Sequence, residues 1–361
     1  MKLLHCSDAM IGRAFPHAYD KADKLRQYRM DALKSAISLA RRERAEAIIF
    51  AGNTLADNRI SPNQLKELSA TLSGSSIPVY ILPGHTDPYT PDSPFRLQPG
   101  LFKPPIHILT DARPLNVQGS ALTLYPFPVR SRNNNAWLPP DDWIPPRSET
   151  AEIRVGVACL PHPDRAYGLQ QVHARYLDYV AAGGSPVSAG TESVRWSGTL
   201  EPATFGAPAG HALVVTIHRP GSNPEVQAMT TSRLTWLDWV RAVDRVQPLM
   251  AELEAVKNPN SVLLRLTLSG ALELDEVTEL REATERLRAR FFHFQIMNNV
   301  LLTTAEEEPF QNPLLRVMAN RLRTLASQPA EAAAESSPAI ALQALVHLNK
   351  IINGLNQEDL L

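Results

Sequence analysis

The first ninety residues restrict this chain more than any other stretch. Three short apolar runs, Lys2 to Cys6, Ala47 to Ala51 and Ile77 to Leu82, alternate with two stretches of helical period, about Asp23 to Glu46 and Pro62 to Leu72. Runs of four to six residues, too short for helices and separated by amphipathic segments, predict a βαβ opening and a parallel sheet covered on both faces. Each run stops abruptly at small or polar residues, the last at Pro83-Gly84. Those stops lie at the strand ends where open α/β sheets place their ligands.

Beyond the opening, short strands are expected between Ile106 and Val129, then Ile153 to Leu160, a helix Gly168 to Arg175, a strand Leu177 to Ala182, and closing strands at Arg195 to Ser197 and Ala212 to His218. Pro139, Pro140, Pro145 and Pro146 make Ser131 to Pro146 a stiff excursion, and the 30 prolines in 361 residues fit long ordered loops. The texture changes around Pro220 to Pro224. From there a strand Leu234–Val243, a helix Arg245–Val256, a strand Val262–Leu268, a helix Asp275–Arg290 and a strand Phe291–Leu302 predict a second, α+β unit. Two strongly apolar helices follow, Pro313 to Leu325 and Ala339 to Leu355, joined by an Ala/Glu/Ser/Pro linker over 328–338. The expected domains are therefore 1–225, 226–305 and a helical tail 306–361.

Lys and Arg number 36 against 37 Asp and Glu, for a net charge of −1, which excludes a general basic field for nucleic acid. The two cysteines, Cys6 and Cys159, lie in apolar runs and give no disulfide framework. Neither a signal peptide nor a membrane span is read from the sequence, so a cytoplasmic location is expected.

Four loops at strand ends carry the polar chemistry: Cys6-Ser-Asp8-Ala-Met10-Ile-Gly12-Arg13, Ala51-Gly-Asn53-Thr-Leu-Ala-Asp57, Leu82-Pro-Gly84-His85-Thr86-Asp87 and Asp178-Tyr-Val-Ala-Ala-Gly183-Gly184-Ser-Pro186. Their order and spacing resemble the calcineurin-like metallophosphoesterases, and within them the SbcD family of DNA-repair exonuclease subunits with its YhaO-like branch. The resemblance extends over nearly the whole chain and includes Val194-Arg-Trp-Ser-Gly-Thr-Leu-Glu-Pro202, similar to the strand that follows the family's last ligand loop. It implies a two-sheet α/β sandwich flanked by helices, a small α+β capping domain and a helical C-terminal tail.

In that family the loops read Ser-Asp-x-His-x-Gly, Gly-Asp-x-x-Asp, Gly-Asn-His-Asp and Gly-His-x-His, a further strand ends in His, and two divalent cations activate water on a phosphodiester. Carried over, Asp8 keeps its place. Met10 stands for a histidine, Asn53 for the bridging carboxylate, His85 for the metal-binding Asn, Thr86 for the catalytic histidine, and Cys159 for the fourth-strand histidine. Gly184 and Pro186 replace both histidines of the last loop. Two cations need anionic or imidazole ligands to offset their repulsion, and loss of most of them predicts a pseudoenzyme with no bound cofactor.

The resemblance thus implies a catalytically inactive SbcD-like subunit, a structural or regulatory partner of an SbcC-like coiled-coil ATPase in DNA processing, repair or defence, with DNA reached through the complex. One alternative is an enzyme holding a single Mn²⁺ or other divalent ion at Asp8, Asn53, His85 and His162. A second is a scaffold without a nucleic-acid role. Read from the residues alone, Asp8 also suits a turn carboxylate that accepts backbone N–H groups, and Cys159 suits a packed thiol. The tail supplies the expected partner anchors Leu314, Leu315, Met318, Leu322, Leu345, Leu348 and Ile352. Docking on the capping domain, or forming a homodimer, are the other uses open to those helices.

Overall fold

A computed structural model describes residues 1–133, 144, 152–160, 176–302, 313–326 and, in the last helical segment, 340, 341, 344, 345 and 348. The expected helix over 168–175, the linker 328–338 and all but the first three residues and Ile144 of the Pro-rich excursion lie outside these residues. The chain divides into two units, Met1–Trp236 and Leu237–Leu361.

In the first unit, β1 (Lys2–Cys6), β2 (Ala47–Phe50), β3 (Val79–Ile81) and β4 (Ile106–Ile108) run parallel. Beside β1, β11 (His211–Thr216) and β12 (Glu225–Thr230) close the sheet antiparallel. The second sheet has the order β5-β6-β7-β8-β10-β9, with β5 (Leu115–Asn116), β6 (Leu122–Phe127), β7 (Ile153–Cys159), β8 (Tyr179–Gly183), β9 (Ala189–Gly190) and β10 (Val194–Trp196). Its four central strands are parallel. The fold is therefore mixed α/β, with two large mixed sheets and helices.

Strand alternation explains the layers. Leu3, Ile49 and Leu82 face Leu124, Val155, Val157 and Tyr179 of the other sheet, forming the layer between the sheets. Leu4, Cys6, Ile48 and Phe50 point the opposite way and pack under α1 (Ala22–Arg42) and α2 (Pro62–Ser73), against Leu33, Ala36, Leu65 and Leu68, and the short α3 (Pro94–Leu97) adds Phe95 to the same cluster. Both faces of the first sheet are covered, which is why its strands read as continuous apolar runs. α2 begins where the sequence says it should: Pro62 occupies its first turn, and the Ser61 hydroxyl caps it by accepting the Gln64 N–H at 3.3 Å. His5 ties the two sheets together. Its Nε2–H donates to the Ala182 carbonyl at 3.1 Å while Nδ1 accepts from the Tyr179 hydroxyl at 2.9 Å, and burial lowers its pKa to about 3, so the ring is neutral.

The boundary expected after residue 225 falls inside the first unit. Pro220 to Pro224 reads as a break, but it is the connection between β11 and β12, which pair along six residues from His211↔Thr230 to Thr216↔Glu225. The second unit holds β13 (Thr235–Val243) from Leu237 onward, α4 (Val246–Glu254), β14 (Val262–Leu272), α5 (Leu274–Arg288), β15 (His293–Asn298) and β16 (Leu301–Leu302). Its small sheet runs β13-β14-β15, with β16 also on β14, and Leu264, Leu266 and Leu268 pack on Leu280 and Leu287 of α5. The same unit contains α6 (Pro313–Ala326). Among the described residues no helix is long and apolar enough to cross a membrane.

Candidate functional site

The C-terminal ends of β1, β2, β3, β7, β8 and β10 meet along one edge of the sandwich. Backbone bonds stitch their loops together: Asp8 N–H donates to the Gly52 carbonyl at 3.1 Å, Met10 N–H to that of Asn53 at 3.0 Å, and Thr199 N–H to that of Pro186 at 3.1 Å. Close approach requires glycine at the crossing. A Cβ on Gly183 would stand 1.8 Å from the Ala51 carbonyl oxygen. Asp8, Met10 and Asn53 hold φ of 50°, 50° and 54°, left-handed values that cost L-residues energy and concentrate at ligand sites.

Asp8 lies at the centre and is buried. Its Oδ1 accepts from the Asn53 side-chain amide at 2.8 Å and its Oδ2 from the Gly184 N–H at 3.0 Å. Burial raises its pKa, opposed by the donors Asn53, Ser7 and Gly184 and by the charge of Arg29. The Asn53 carbonyl oxygen accepts in turn from the Thr86 N–H at 3.0 Å, and the Cys159 sulfur stands 3.7 Å from it. The Thr86 hydroxyl donates to the Leu55 carbonyl at 2.6 Å. Asp87 turns away from this group and collects backbone donors, the N–H of Asn53 at 3.1 Å, Leu55 at 2.8 Å and Gly84 at 2.8 Å. Burial lifts it to about 6 against the pull of its backbone donors, Leu55, Gly84, Asn53 and Thr54.

Burial shifts the thiol and the imidazole beside them toward their neutral forms. Burial pushes the Cys159 thiol well up, and the Asp8 charge adds to that. Burial also lowers the His85 imidazole, against the opposing effect of the Cys159 main chain. Among the described residues no three His, Cys, Asp or Glu side chains are grouped so as to hold a metal ion.

All eight positions of the expected degenerate site, Asp8, Met10, Asn53, His85, Thr86, Cys159, Gly184 and Pro186, therefore fall in one place. His162 and Ile352 lie outside the described residues. The tail anchors divide into two sets. Leu345 is buried on Ala319, with Leu315, Leu322 and Leu348 packed around that pair, whereas Leu314 and Met318 are 67% and 47% exposed.

A cleft of about 480 Å³ opens over Asp8, Met10 and Asn53, walled by Pro186, Val187 and the loop 199–208. Arg29, which sequence reasoning missed, builds this wall. Buried in α1, it donates to the carbonyl oxygens of Ala9 at 3.1 Å and Glu201 at 2.9 Å and to the Thr199 hydroxyl at 3.2 Å. Its signal was a charge on the apolar stripe Leu25, Ala32, Leu33 and Ala36. Glu201 accepts the N–H groups of Arg233 at 2.7 Å and Leu234 at 3.2 Å, and burial raises it to about 7.

No protein-family model matches the chain, and no curated protein matches it.

Proposed function

We propose that this chain is a catalytically inactive protein of the SbcD-like metallophosphoesterase type, a structural or regulatory partner of an SbcC-like coiled-coil ATPase in cytoplasmic DNA processing, repair or defence. The observation that carries the reading is the orientation of Asn53. At the position where the resemblance calls for a carboxylate between two cations, an amide N–H₂ points at Asp8. A donor hydrogen facing the carboxylate repels a cation from the same space. Both oxygens of Asp8 already accept N–H groups, and Asp87 is committed to three backbone donors. A thioether, a neutral thiol, a threonine and the single imidazole of His85 complete the surroundings, a donor set that suits no pair of hard divalent ions.

The partner half of the reading draws on the tail. Leu314, Val317 and Met318 on α6, with Ile340, are exposed apolar side chains on helices whose other faces pack on each other. Such a face suits a helical groove or coiled coil.

The test has two arms. Metal analysis after dialysis should find well under one equivalent of manganese, zinc or iron, and bis-p-nitrophenyl phosphate with added Mn²⁺ should stay unhydrolysed; hydrolysis abolished by Asp8→Ala would overturn the inactive reading. Co-expression with an SbcC-like ATPase should give a complex that is lost in Leu314→Asp/Met318→Asp. Retention of the complex by that variant would remove the tail from the interface.

A further inference from the structure

The cleft over Asp8 has a mixed lining. Val187, Pro202, Phe205 and Pro208 make part of it apolar, while Arg13 and Arg29 add two basic side chains. The bonds of Arg29 run to carbonyl and hydroxyl oxygens, and Asp8 and Glu201 offset its charge from nearby. Among the described residues no carboxylate pairs with Arg13, and Arg13 is near enough to disfavour the charged form of Arg29. The one carboxylate on the floor, Asp8, accepts the Asn53 amide and the Gly184 N–H and sets its charge against that of Arg29, not of Arg13.

A guanidinium without a carboxylate partner facing an apolar hollow complements an anion with an apolar body. The volume of about 480 Å³ falls in the usual range of small-ligand pockets. The floor lies at the carboxyl ends of parallel strands and carries the left-handed Asp8 and Met10. We propose that this cleft binds a small organic anion without any metal, its ring body lying against Val187, Pro202 and Phe205 and its anionic group on the Arg13 guanidinium. Arg13 takes that role because the donors of Arg29 are engaged in the wall. The inference goes beyond the proposed function and stands whether or not an ATPase partner exists.

The probe is naphthalene-2-sulfonate, titrated calorimetrically into the full chain in the presence of EDTA. Saturable one-to-one binding is expected, weakened about tenfold by Arg13→Gln, as befits loss of one charge-assisted contact. Val187→Trp should abolish it by filling the cleft; Val187 is 43% exposed, so the larger ring can be accommodated without unfolding the sheets. The neutral 2-naphthalenemethanol should bind at least about tenfold more weakly than the sulfonate. Equal melting temperatures of the variants and the parent establish that the fold is kept. Absence of saturable binding, or binding that both variants leave unchanged, would overturn the proposal. Binding seen only with added divalent metal would overturn it too. Failure of the inactive reading shows separately, as metal-dependent hydrolysis.

Discussion

Placing a second charge beside Asp8 is the most direct probe of the site's logic. In Asn53→Asp the amide that donates to Asp8 Oδ1 at 2.8 Å becomes a second carboxylate facing the first. Two unit charges about 4 Å apart at an effective dielectric constant of about 20 repel by about 4 kcal/mol. Loss of a hydrogen bond to a charged group adds about 1.5–3 kcal/mol. The pair relieves part of this by retaining one proton, which bridges the two oxygens and raises the shared pKa above that of the unfolded chain. The sign follows. Near pH 5 the native variant keeps a proton that the unfolded chain has mostly released, so its stability falls as pH rises toward 8. Urea unfolding in EDTA should show the variant about 3–5 kcal/mol less stable than the parent at pH 8, and closer to it at pH 5. Added Mn²⁺ should recover little, because Met10, Thr86, Gly184 and Pro186 bring no further ligand for a hard cation. A variant as stable as the parent at pH 8 without metal, or a loss independent of pH, would refute the hydrogen-bonded pairing of Asn53 with Asp8.

Two further predictions concern the buried carboxylates. Asp87→Ala leaves the N–H groups of Asn53, Leu55 and Gly84 buried without their acceptor, and at about 1–3 kcal/mol each the loss should be at least about 3 kcal/mol in denaturant unfolding. Glu201, raised by burial from 4.5 to about 7, binds its proton more tightly folded than unfolded, so its contribution is fully present below pH 4.5 and is lost as pH rises through 7. Unfolding free energies across that window should decline by up to about 3 kcal/mol from this residue, and the decline should be missing from Glu201→Gln.

What the sequence makes legible follows from how local the cause is. β1 to β3 and the two helices between them are readable because both faces of the sheet are covered, giving unbroken apolar runs, and because Ser61-Pro62 marks a helix start. β12 is not readable. It is an edge strand with exposed Glu225, Gln227 and Ala228, and its place depends on pairing with β11 across the turn at Pro220 to Pro224. In the tail, periodicity identifies apolar faces on both helices but not which side chains they bury on one another, so Leu345 and Leu314 look alike in sequence and differ in burial. At the site the loop positions are legible, since each ends a strand. The partners are not, because Asp8 and Asn53 lie 45 residues apart and Asp8 and Gly184 lie 176 apart.

The polar residues of those loops make physical sense only as a set. A carboxylate buried as Asp8 is must find donors if no cation neutralises it. A second carboxylate at 53 would double the unpaired charge, whereas the amide gives one N–H to Asp8 and offers its oxygen to the Thr86 N–H. The hydroxyl of Thr86 reaches the Leu55 carbonyl, a contact that an imidazole at 86 would have to make with a bulkier, flat ring. At 184, φ is +95° and a Cβ would stand 2.3 Å from the Leu160 carbonyl oxygen, so glycine is the residue that lets the main-chain N–H reach Asp8. Each group thereby satisfies the next, from Gly184 through Asp8 and Asn53 to Thr86 and Leu55. The set makes of these strand ends a self-satisfied floor, on which the strained Asp8 and Met10 are held in place beneath the arginine-lined cleft.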